Sequence, residues 1–246
     1  MISHGHHHQI THLLSQLAQL CASDLDKVVI TDNIAEHTKQ DYIEHLDSLP
    51  FEIAYLSNPQ PLGFGANHNQ AFAYCDSDYF CVINPDIDLL NNPFVGLALT
   101  MEKSGVAVSY PVQLDCDNLP LDFERRLVSP WALFTRYAVR TPFKPEDTHT
   151  VHWASGAFLV FNSNAFRALG GFDERYFMYC EDVDICLRAQ LAGYRLERAD
   201  AKVVHHTQRR TLKSLRHLTW HVRSLLRLWR SPAYLQYKKQ FMGIND

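Results

Sequence analysis

The sequence predicts an α/β fold in which helices cover both faces of a mainly parallel β-sheet. At 246 residues and 46% hydrophobic content, the chain is long and apolar enough to bury a full core. Short runs rich in β-branched and aromatic residues alternate with segments of helical periodicity, and this alternation is typical of buried parallel strands joined by helices. Ligands of such sheets bind beyond the carboxyl ends of the strands, so we expect a functional site there.

The elements follow in a regular order. Four apolar runs predict strands: KVVIT (27–31), EIAYL (52–56), YFCVI (79–83) and VAVSY (106–110). Helical spacing predicts intervening helices over 8–21, 38–48, 66–75 and 93–103. Four prolines between 114 and 149 predict a loop region over one face of the sheet, after which AFLVF (157–161) resumes a strand. Two later helices are predicted, one from Glu181 to a stop at Gly193 and one over 211–230.

Bulk composition excludes several classes of protein. No apolar run reaches the roughly 18 residues that cross a bilayer, and no signal peptide opens the chain. The six cysteines form no CxxC pair and no regular framework, which indicates reduced thiols. We therefore expect a cytoplasmic globular protein.

Charge is distributed unevenly along the chain. Residues 1–200 hold 13 Lys+Arg and 26 Asp+Glu, whereas residues 201–246 hold 10 Lys+Arg and one acid, Asp246. The basic end contains the amphipathic helix predicted over 211–230, which Ser231–Pro232 is expected to end. Its apolar stripe either packs on the domain or meets an anionic membrane surface, and it consists of Leu215, Leu218, Val222, Leu225, Leu226 and Trp229. No nucleic-acid-binding motif accompanies it, so nucleic acid is not an expected partner.

Polar residues follow several of the predicted strands. Asp86 and Asp88 in NPDIDLL come directly after the YFCVI strand, where two carboxylates suit a hard divalent cation; the alternative is a simple turn. His205 and His206 follow a short apolar run near the end of the chain, and imidazole also suits such a metal, although a His pair is commonly structural. The sequence thus predicts a divalent metal site. The alternatives are a simple turn at the two aspartates and a structural role for the two histidines.

Two further segments combine special residues. In NPQPLGFGANHNQAFAY (58–74), Gly63 and Gly65 permit close backbone approach before a helix, which indicates a loop next to a phosphate or nucleotide. In RYFMYCEDVDICLR (175–188), Glu181, Asp182 and Asp184 follow a row of aromatic residues. Acidic residues in a first helical turn complement the helix dipole, so the sequence alone leaves open whether these carboxylates are catalytic.

Taken together and in this order, these motifs resemble family 2 glycosyltransferases. The resemblance is carried by Asp32–Asn33, PLGFGANHNQAF, NPDID, WASGAFLVF, GGFDERYFMYCEDVDICLR and VVHH, and it extends from about residue 2 to residue 229. The chain looks like the rhamnosyltransferase-like subgroup of enzymes with the GT-A fold, a Rossmann-like fold, which act in cell-surface polysaccharide synthesis.

The resemblance implies a role for each candidate residue. It implies Asp182 as catalytic base, with Glu181 orienting it or the acceptor. It implies Asp88 and His205 as ligands of Mg²⁺ or Mn²⁺, with His206 as the alternative to His205. The nucleotide-sugar residues would be Asp32, Asn33, Gly63, Phe64, Asn67 and Asp86. The acceptor pocket would be bordered by Trp153, Ser155 and Gly156.

The resemblance also implies an activity and a domain plan. It implies inverting transfer of a sugar, with dTDP-L-rhamnose favoured as donor, to a saccharide or lipid-linked saccharide. Residues 1–208 would form the catalytic domain, with a nucleotide-binding half (1–110) and an acceptor half (111–208), and residues 209–246 a basic helical tail with a possible peripheral contact on the inner face of the cytoplasmic membrane. The rival hypotheses are a catalytically inactive scaffold or binding subunit and a sugar nucleotidyltransferase.

The sequence departs from the family pattern at its start. Family members open with a complete apolar strand, whereas only Met1 and Ile2 precede SHGHHH here. We therefore expect either a misplaced start codon or a truncated central strand that removes one wall of the nucleotide site.

Overall fold

A computed structural model describes residues 1–44, 46, 48–127, 151–206 and 215–243. Its helices are α1 (His7–Leu20), α2 (Lys39–Ile43), α3 (Phe64–Phe72), α4 (Phe94–Met101), α5 (Ser163–Ala168), α6 (Glu181–Leu191), α7 (Leu215–Trp229) and α8 (Pro232–Phe241). Its strands are β1 (Ile2–Ser3), β2 (Lys27–Asp32), β3 (Glu52–Ser57), β4 (Tyr79–Ile83), β5 (Ile87–Leu89), β6 (Val106–Leu114), β7 (Glu124–Arg125), β8 (Trp153–Ala154), β9 (Phe158–Asn162) and β10 (Arg195–His205).

The strands form two main sheets and a small ribbon. Strands β1, β2 and β3 pair in parallel. The second sheet has the order β4-β9-β6-β10-β5, in which β6 and β10 are parallel while β9 and β5 run antiparallel to their neighbours. Strands β7 and β8 form the ribbon. The predicted α/β class is confirmed, with a mixed sheet because β5 and β9 reverse direction.

The larger sheet separates two apolar cores. Side chains of a strand alternate between its faces, and in β9 Val160 belongs to one cluster while Leu159 and Phe161 belong to the other. Helices α1 and α4 cover the first face through residues such as Leu13 and Leu97. Helices α3, α5 and α6 contribute to the cluster on the second face. Covering both faces explains why strands such as β4 carry almost no polar residues.

The two main sheets are not joined by hydrogen bonds between β1 and β4. Strand β1 has only two residues, and its pairing with β2 is continued by a hydrogen bond of 2.8 Å that the N-terminal ammonium group of Met1 donates to the carbonyl of Val29. A cavity of about 540 Å³ lies beyond this point, lined among others by Val29 of β2 and Cys81 of β4. This gap between the two sheets lies beside β1, where the sequence predicts a truncated strand.

The C-terminal region contains a third core that the sequence did not predict. Tyr176, Leu187, Leu228 and Tyr234 pack together, joining the loop before α6 to helices α6, α7 and α8. The Ser231–Pro232 pair ends α7 as expected, but it also starts α8, since Ser231 Oγ accepts a hydrogen bond of 3.1 Å from the N–H of Tyr234.

Other boundaries differ from the predicted ones. Helix α2 ends at Ile43 instead of continuing to residue 48, and strand β6 continues to Leu114. Of the region predicted as a loop, residues 115–127 contain β7, whereas residues 128–149 lie outside the described part of the chain. The first residues of the basic helix predicted over 211–230 lie outside it too, and α7 is described from Leu215.

A buried ion pair fixes α6 to the glycine turn before it. Arg188 contacts Asp184 at 2.7 Å and donates hydrogen bonds to the carbonyls of Leu169 and Gly171. We predict that Arg188→Met lowers the free energy of unfolding by about 2–4 kcal/mol, because it leaves a buried carboxylate without its partner. Urea denaturation at neutral pH measures this loss.

The control is Arg175→Met, which removes the partner of Asp173 from a more exposed pair. Its expected cost is below about 1 kcal/mol. Burial raises the pKa of Asp184, so the deficit of Arg188→Met should shrink as acid protonates that carboxyl. Equal losses for the two variants would contradict the assignment.

Candidate active site

Antiparallel pairing of β5 with β10 brings the two acidic and two histidine candidates together. Asp88 lies opposite Val204 and Ile87 opposite His205 in this ladder. The N–H of His206 donates a hydrogen bond of 2.9 Å to the carbonyl of Asp86, which extends the pairing by one step. Side chains separated by more than a hundred residues in the sequence therefore share one edge of the sheet.

The side chains form two carboxylate–imidazole contacts. His206 Nε2 lies 2.6 Å from Asp88 Oδ2, and His205 Nε2 lies 3.4 Å from Asp86 Oδ1. His205 also contacts the side-chain oxygen of Gln113 through Nδ1 at 3.0 Å. Burial alone would raise the pKa of Asp86, but the neighbouring His205 outweighs it, and that pKa is lowered.

One residue at this edge was missed from the sequence. His12 of α1 places Nε2 at 3.2 Å from Asp88 Oδ1, so Asp88 lies between two imidazoles. The repeated histidines at the start of the chain gave no indication which of them reaches the site, because that depends on how α1 packs beside β5.

The side chains at this edge offer ligands for a divalent cation but do not enclose one. Among the described residues, no group of three or more His, Cys, Asp and Glu is arranged to enclose a metal ion. Asp88 and His206 nevertheless supply one carboxylate and one imidazole, and Asp86 Oδ1 is buried with no hydrogen bond in the described residues. Mg²⁺ and Mn²⁺ are commonly held by one or two carboxylates together with substrate phosphates, and this open arrangement is compatible with such a site.

The glycine loop lies against the segment before α6. A β-carbon built on Gly63 would lie 2.7 Å from the carbonyl oxygen of Phe177, so only glycine allows this approach. The N–H of Phe64 donates a hydrogen bond of 2.9 Å to the same carbonyl. The loop that was predicted to line the nucleotide pocket therefore also forms a wall of the acidic site.

Three asparagines hold the glycine loop in place. Asn58 Nδ2 donates to the side-chain oxygens of Asn33 at 3.0 Å and Asn67 at 2.7 Å. Asn33 and Asn67 in turn bond the backbone of Leu62 and Gly63. The amides of Asn33 and Asn67 thus order the loop, and their predicted nucleotide contacts stay a prediction.

Asp32 is wholly buried at the end of β2. Its carboxylate accepts hydrogen bonds from the N–H groups of Ile34 at 3.2 Å and His37 at 2.8 Å. These bonds order the turn that follows the strand. A bond from Asp32 to a nucleotide base would add to this arrangement and also stays a prediction.

The two acidic candidates begin helix α6. Tyr179 and Cys180, directly before them, both have positive φ angles of 72° and 68°. Consecutive non-glycine residues in this region are strained, and such strain is found at sites where the surrounding structure fixes the backbone. The strained turn directs Asp182 toward Gly156, whose N–H donates a hydrogen bond of 3.0 Å to Asp182 Oδ2.

Burial changes the protonation of the acidic pair. Burial and then the charge of Asp182 raise the pKa of Glu181 to about 8, and one of its side-chain oxygens has no partner in the described residues. Burial also raises the pKa of Asp182, while the N–H groups of Gly156 and Val183 oppose this rise. A protonated Glu181 at neutral pH removes one like charge, which favours the ionised form of Asp182 that its predicted role as base requires.

The acidic pair and the Asp-x-Asp segment share a common support. Gly156, which binds Asp182, is followed by Ala157, whose carbonyl accepts a hydrogen bond of 2.8 Å from the N–H of Asn84. Asn84 lies two residues before Asp86. The turn before β9 therefore connects Asp182, the predicted base, to the segment that holds the predicted metal ligand Asp88.

Two residues that were predicted to border the acceptor pocket lie next to this turn. Trp153 in β8 is half-buried, and the guanidinium of Arg125 lies 5.1 Å from the centre of its indole ring. Ser155 Oγ accepts a weak hydrogen bond of 3.4 Å from the N–H of Ala157. Arg125, which the sequence analysis missed, also lowers the pKa of Asp182 through its charge.

Comparisons with known proteins identify the family of this chain. The sequence model of "Glycosyl transferase family 2" matches residues 7–169, and that of "Glycosyl transferase family group 2" matches residues 133–242. Rhamnosyltransferase WbbL of Escherichia coli K12 is 28% identical over 92% of this chain and 90% of its own length. The N-acetylglucosaminyl-diphospho-decaprenol L-rhamnosyltransferase of Mycobacterium tuberculosis is 40% identical over 28% of each chain.

A solved structure shows the same fold. The mannosyltransferase PcManGT of Pyrobaculum calidifontis, in complex with GDP-Man and Mn²⁺, superposes with a TM-score of 0.60 at 13% identity. The match covers 100% of this chain and 63% of that longer chain. The chain has the GT-A fold that its motifs predicted.

The raised pKa of Glu181 predicts how stability depends on pH. The folded state retains a proton that the unfolded state releases above its ordinary pKa of 4.5, so stability falls as pH rises from about 4.5 to about 8. Glu181→Gln cannot release this proton. We predict that its melting temperature exceeds that of the wild type by at least about 2 °C at pH 8 and by less at pH 5.

Differential scanning fluorimetry across this pH range measures the difference. Glu36→Gln, at an exposed position, is the matched control and should follow the wild type at every pH. A difference between Glu181→Gln and wild type that does not change with pH would show that the carboxyl is not protonated by burial.

Proposed function

The chain belongs to glycosyl transferase family 2, and from this premise we propose that it is an inverting glycosyltransferase of cell-surface polysaccharide synthesis. The observation that carries the proposal is the half-buried carboxylate of Asp182, which is bound to Gly156 in the turn before β9; the next residue of this turn, Ala157, is bound to Asn84 ahead of Asp86 and Asp88. In this proposal residues 1–208 form the catalytic domain, with the nucleotide in its first half (1–110) and the acceptor in its second (111–208), and residues 209–246 form the tail.

Asp182 acts as general base in this reaction. It takes the proton of an acceptor hydroxyl while that oxygen forms a bond to the anomeric carbon of the donor sugar. The bond from this carbon to the diphosphate oxygen breaks at the opposite face, and the nucleoside diphosphate leaves with the electron pair. A single base without a candidate covalent nucleophile favours one displacement with inversion, and general-base catalysis of this kind contributes about 10²–10⁴-fold.

We assign the binding of the donor diphosphate to the edge of the sheet formed by β5 and β10. Asp88 and His206 would hold a Mg²⁺ or Mn²⁺ ion, with His205 supporting Asp86 beside them. When bound, the cation supplies Lewis-acid stabilisation of the charge on the leaving diphosphate. The Mn²⁺ present in the related mannosyltransferase structure supports this assignment.

The donor and acceptor are proposed from the relatives. WbbL and the mycobacterial enzyme are named as rhamnosyltransferases, which supports L-rhamnose from dTDP-L-rhamnose as the transferred sugar. The name of the mycobacterial enzyme describes an N-acetylglucosaminyl-diphospho-decaprenol acceptor. We propose a saccharide on a lipid carrier as acceptor, bordered by Trp153, Ser155 and Gly156.

A lipid-linked acceptor requires the enzyme to work at a membrane surface. None of the helices in the described ranges is long and apolar enough to cross a bilayer. We therefore place the protein on the cytoplasmic side of the membrane, with a peripheral contact through the basic segment 211–230. Nucleic acid is not part of the proposal.

Two alternatives remain distinguishable by experiment. An inactive scaffold subunit would retain the fold without binding sugar nucleotides, but retention of the Asp88–His206 contact and of a half-buried Asp182 bound to Gly156 favours an enzyme. A sugar nucleotidyltransferase would require a glycine-rich basic loop after the first strand, and SHGHHHQITH does not provide one.

We predict that Asp182→Asn abolishes transfer while nucleotide binding survives, because the amide keeps the shape of the side chain but cannot accept the acceptor proton. Loss of at least about 10²-fold in kcat is expected. Product formation from dTDP-L-rhamnose and titration calorimetry with dTDP measure the two properties. Full activity of Asp182→Asn would refute its role as base.

We predict that Asp88→Ala removes both turnover and the dependence of dTDP binding on Mn²⁺, since it deletes the only carboxylate in contact with His206 among the described side chains. Calorimetric titration of dTDP with and without Mn²⁺ provides the test. Asp115→Ala, at a surface turn, is the control and should behave as the wild type. Metal-independent binding and transfer in the wild type would contradict the metal site.

A further inference from the structure

Helix α7 has three distinct faces. On a helical wheel of about 100° per residue, Ser224 and Leu228 lie on the face that is buried against the domain. On the opposite side of the helix is an exposed apolar row, which we call the leucine stripe. The leucine stripe consists of Leu215, Leu218, Val222 and Leu226, with exposed fractions of 84%, 45%, 46% and 41%.

An arginine row lies beside the leucine stripe. Arg216, Arg223, Arg227 and Arg230 are all exposed, and their wheel positions fall within a sector of about 60°. Residues 201–245 contain no acidic residue, so the surroundings of the row along the chain are uniformly basic or neutral. An exposed apolar row bordered by cations has the composition of a helix that lies in a membrane interface.

The buried face of α7 contacts the segment that precedes the acidic pair. Trp220 packs on Phe177 with ring centres 4.9 Å apart, and the Tyr179 hydroxyl lies 2.9 Å from His217 Nδ1. Ser224 Oγ donates a hydrogen bond of 2.8 Å to the carbonyl of Met178. One side of α7 therefore holds residues 177–179, while the opposite side presents the leucine stripe.

We propose that α7 docks in the plane of an anionic phospholipid bilayer, with the leucine stripe among the acyl chains and the arginine row at the phosphate groups. Docking in this orientation holds the turn before Asp182 one helix diameter, about 10 Å, from the lipid surface. This deepens the proposed function, because a lipid-linked acceptor then reaches the catalytic base without leaving the bilayer.

Charge favours a bilayer over a second copy of the chain as the occupant. A symmetric α7–α7 contact would bring two arginine rows together, and like charges at such an interface are unfavourable. Anionic headgroups instead attract each basic residue near the surface. The leucine stripe alone would suit either occupant, but the arginine row beside it fits only a negatively charged one.

The test is co-sedimentation of the full chain with vesicles of phosphatidylcholine, with and without phosphatidylglycerol. We expect binding to the mixed vesicles, weak binding to neutral ones, and release by added NaCl. Leu218→Ser/Val222→Ser should weaken vesicle binding about tenfold. Val95→Ser/Leu99→Ser on α4 is the matched control, because these apolar residues have the same spacing, are 51% and 59% exposed, and should not affect binding.

Three results would overturn the proposal. These are no binding to anionic vesicles, equal loss in the α4 and α7 variants, and a change in oligomeric state of Leu218→Ser/Val222→Ser by analytical ultracentrifugation. Titration with dTDP in the absence of vesicles separates this proposal from the proposed activity. If the α7 variant binds dTDP normally but no longer binds vesicles, membrane docking is confirmed independently of the activity. If the wild type binds vesicles but no nucleotide, the proposed activity is refuted and the docking proposal stands.

Discussion

The site depends on the burial of two adjacent carboxylates at the start of α6. Removing Glu181 and Asp182 from water disfavours their charged forms and raises the pKa of both, and the charge of Asp182 adds to this rise at Glu181. The surroundings compensate for only part of this cost, through the N–H groups of Gly156 and Val183 on Asp182. A protein that maximised stability would not retain such a pair, and its presence indicates a chemical function.

Several close contacts make this burial possible. Gly63 lets the glycine loop touch the carbonyl of Phe177, and Gly156 lets the turn before β9 approach Asp182, where an added β-carbon would lie 3.2 Å from that of the aspartate. Helix α7 supports the same segment from outside through Trp220 and Ser224. The acidic pair thus lies where the glycine loop, the turn before β9 and the C-terminal helix α7 meet, so each of them can influence Asp182.

The sequence predicted the elements whose pattern is local. Strand β4 spans the predicted residues 79–83, and α6 begins at Glu181 as expected. The pairing of Asp88 with His206 could not be derived, because β5 has three residues and its register with β10 is a long-range property. The positive φ of Tyr179 and Cys180 had no glycine to signal it. Leu225 and Trp229 were assigned to one stripe with Leu218, and only packing shows that they turn toward the domain.

The most direct test of the account is a ¹³C NMR titration of the Glu181 and Asp182 carboxyl groups, assigned with Glu181→Gln and Asp182→Asn. The burial of the pair predicts that both titrate above their ordinary range, with one apparent pKa near 8. Titration of both carboxyls near pH 4 would show that they are solvated. In that case the start of α6 would be an ordinary acidic helix end, and the assignment of Asp182 as base would lose its physical basis.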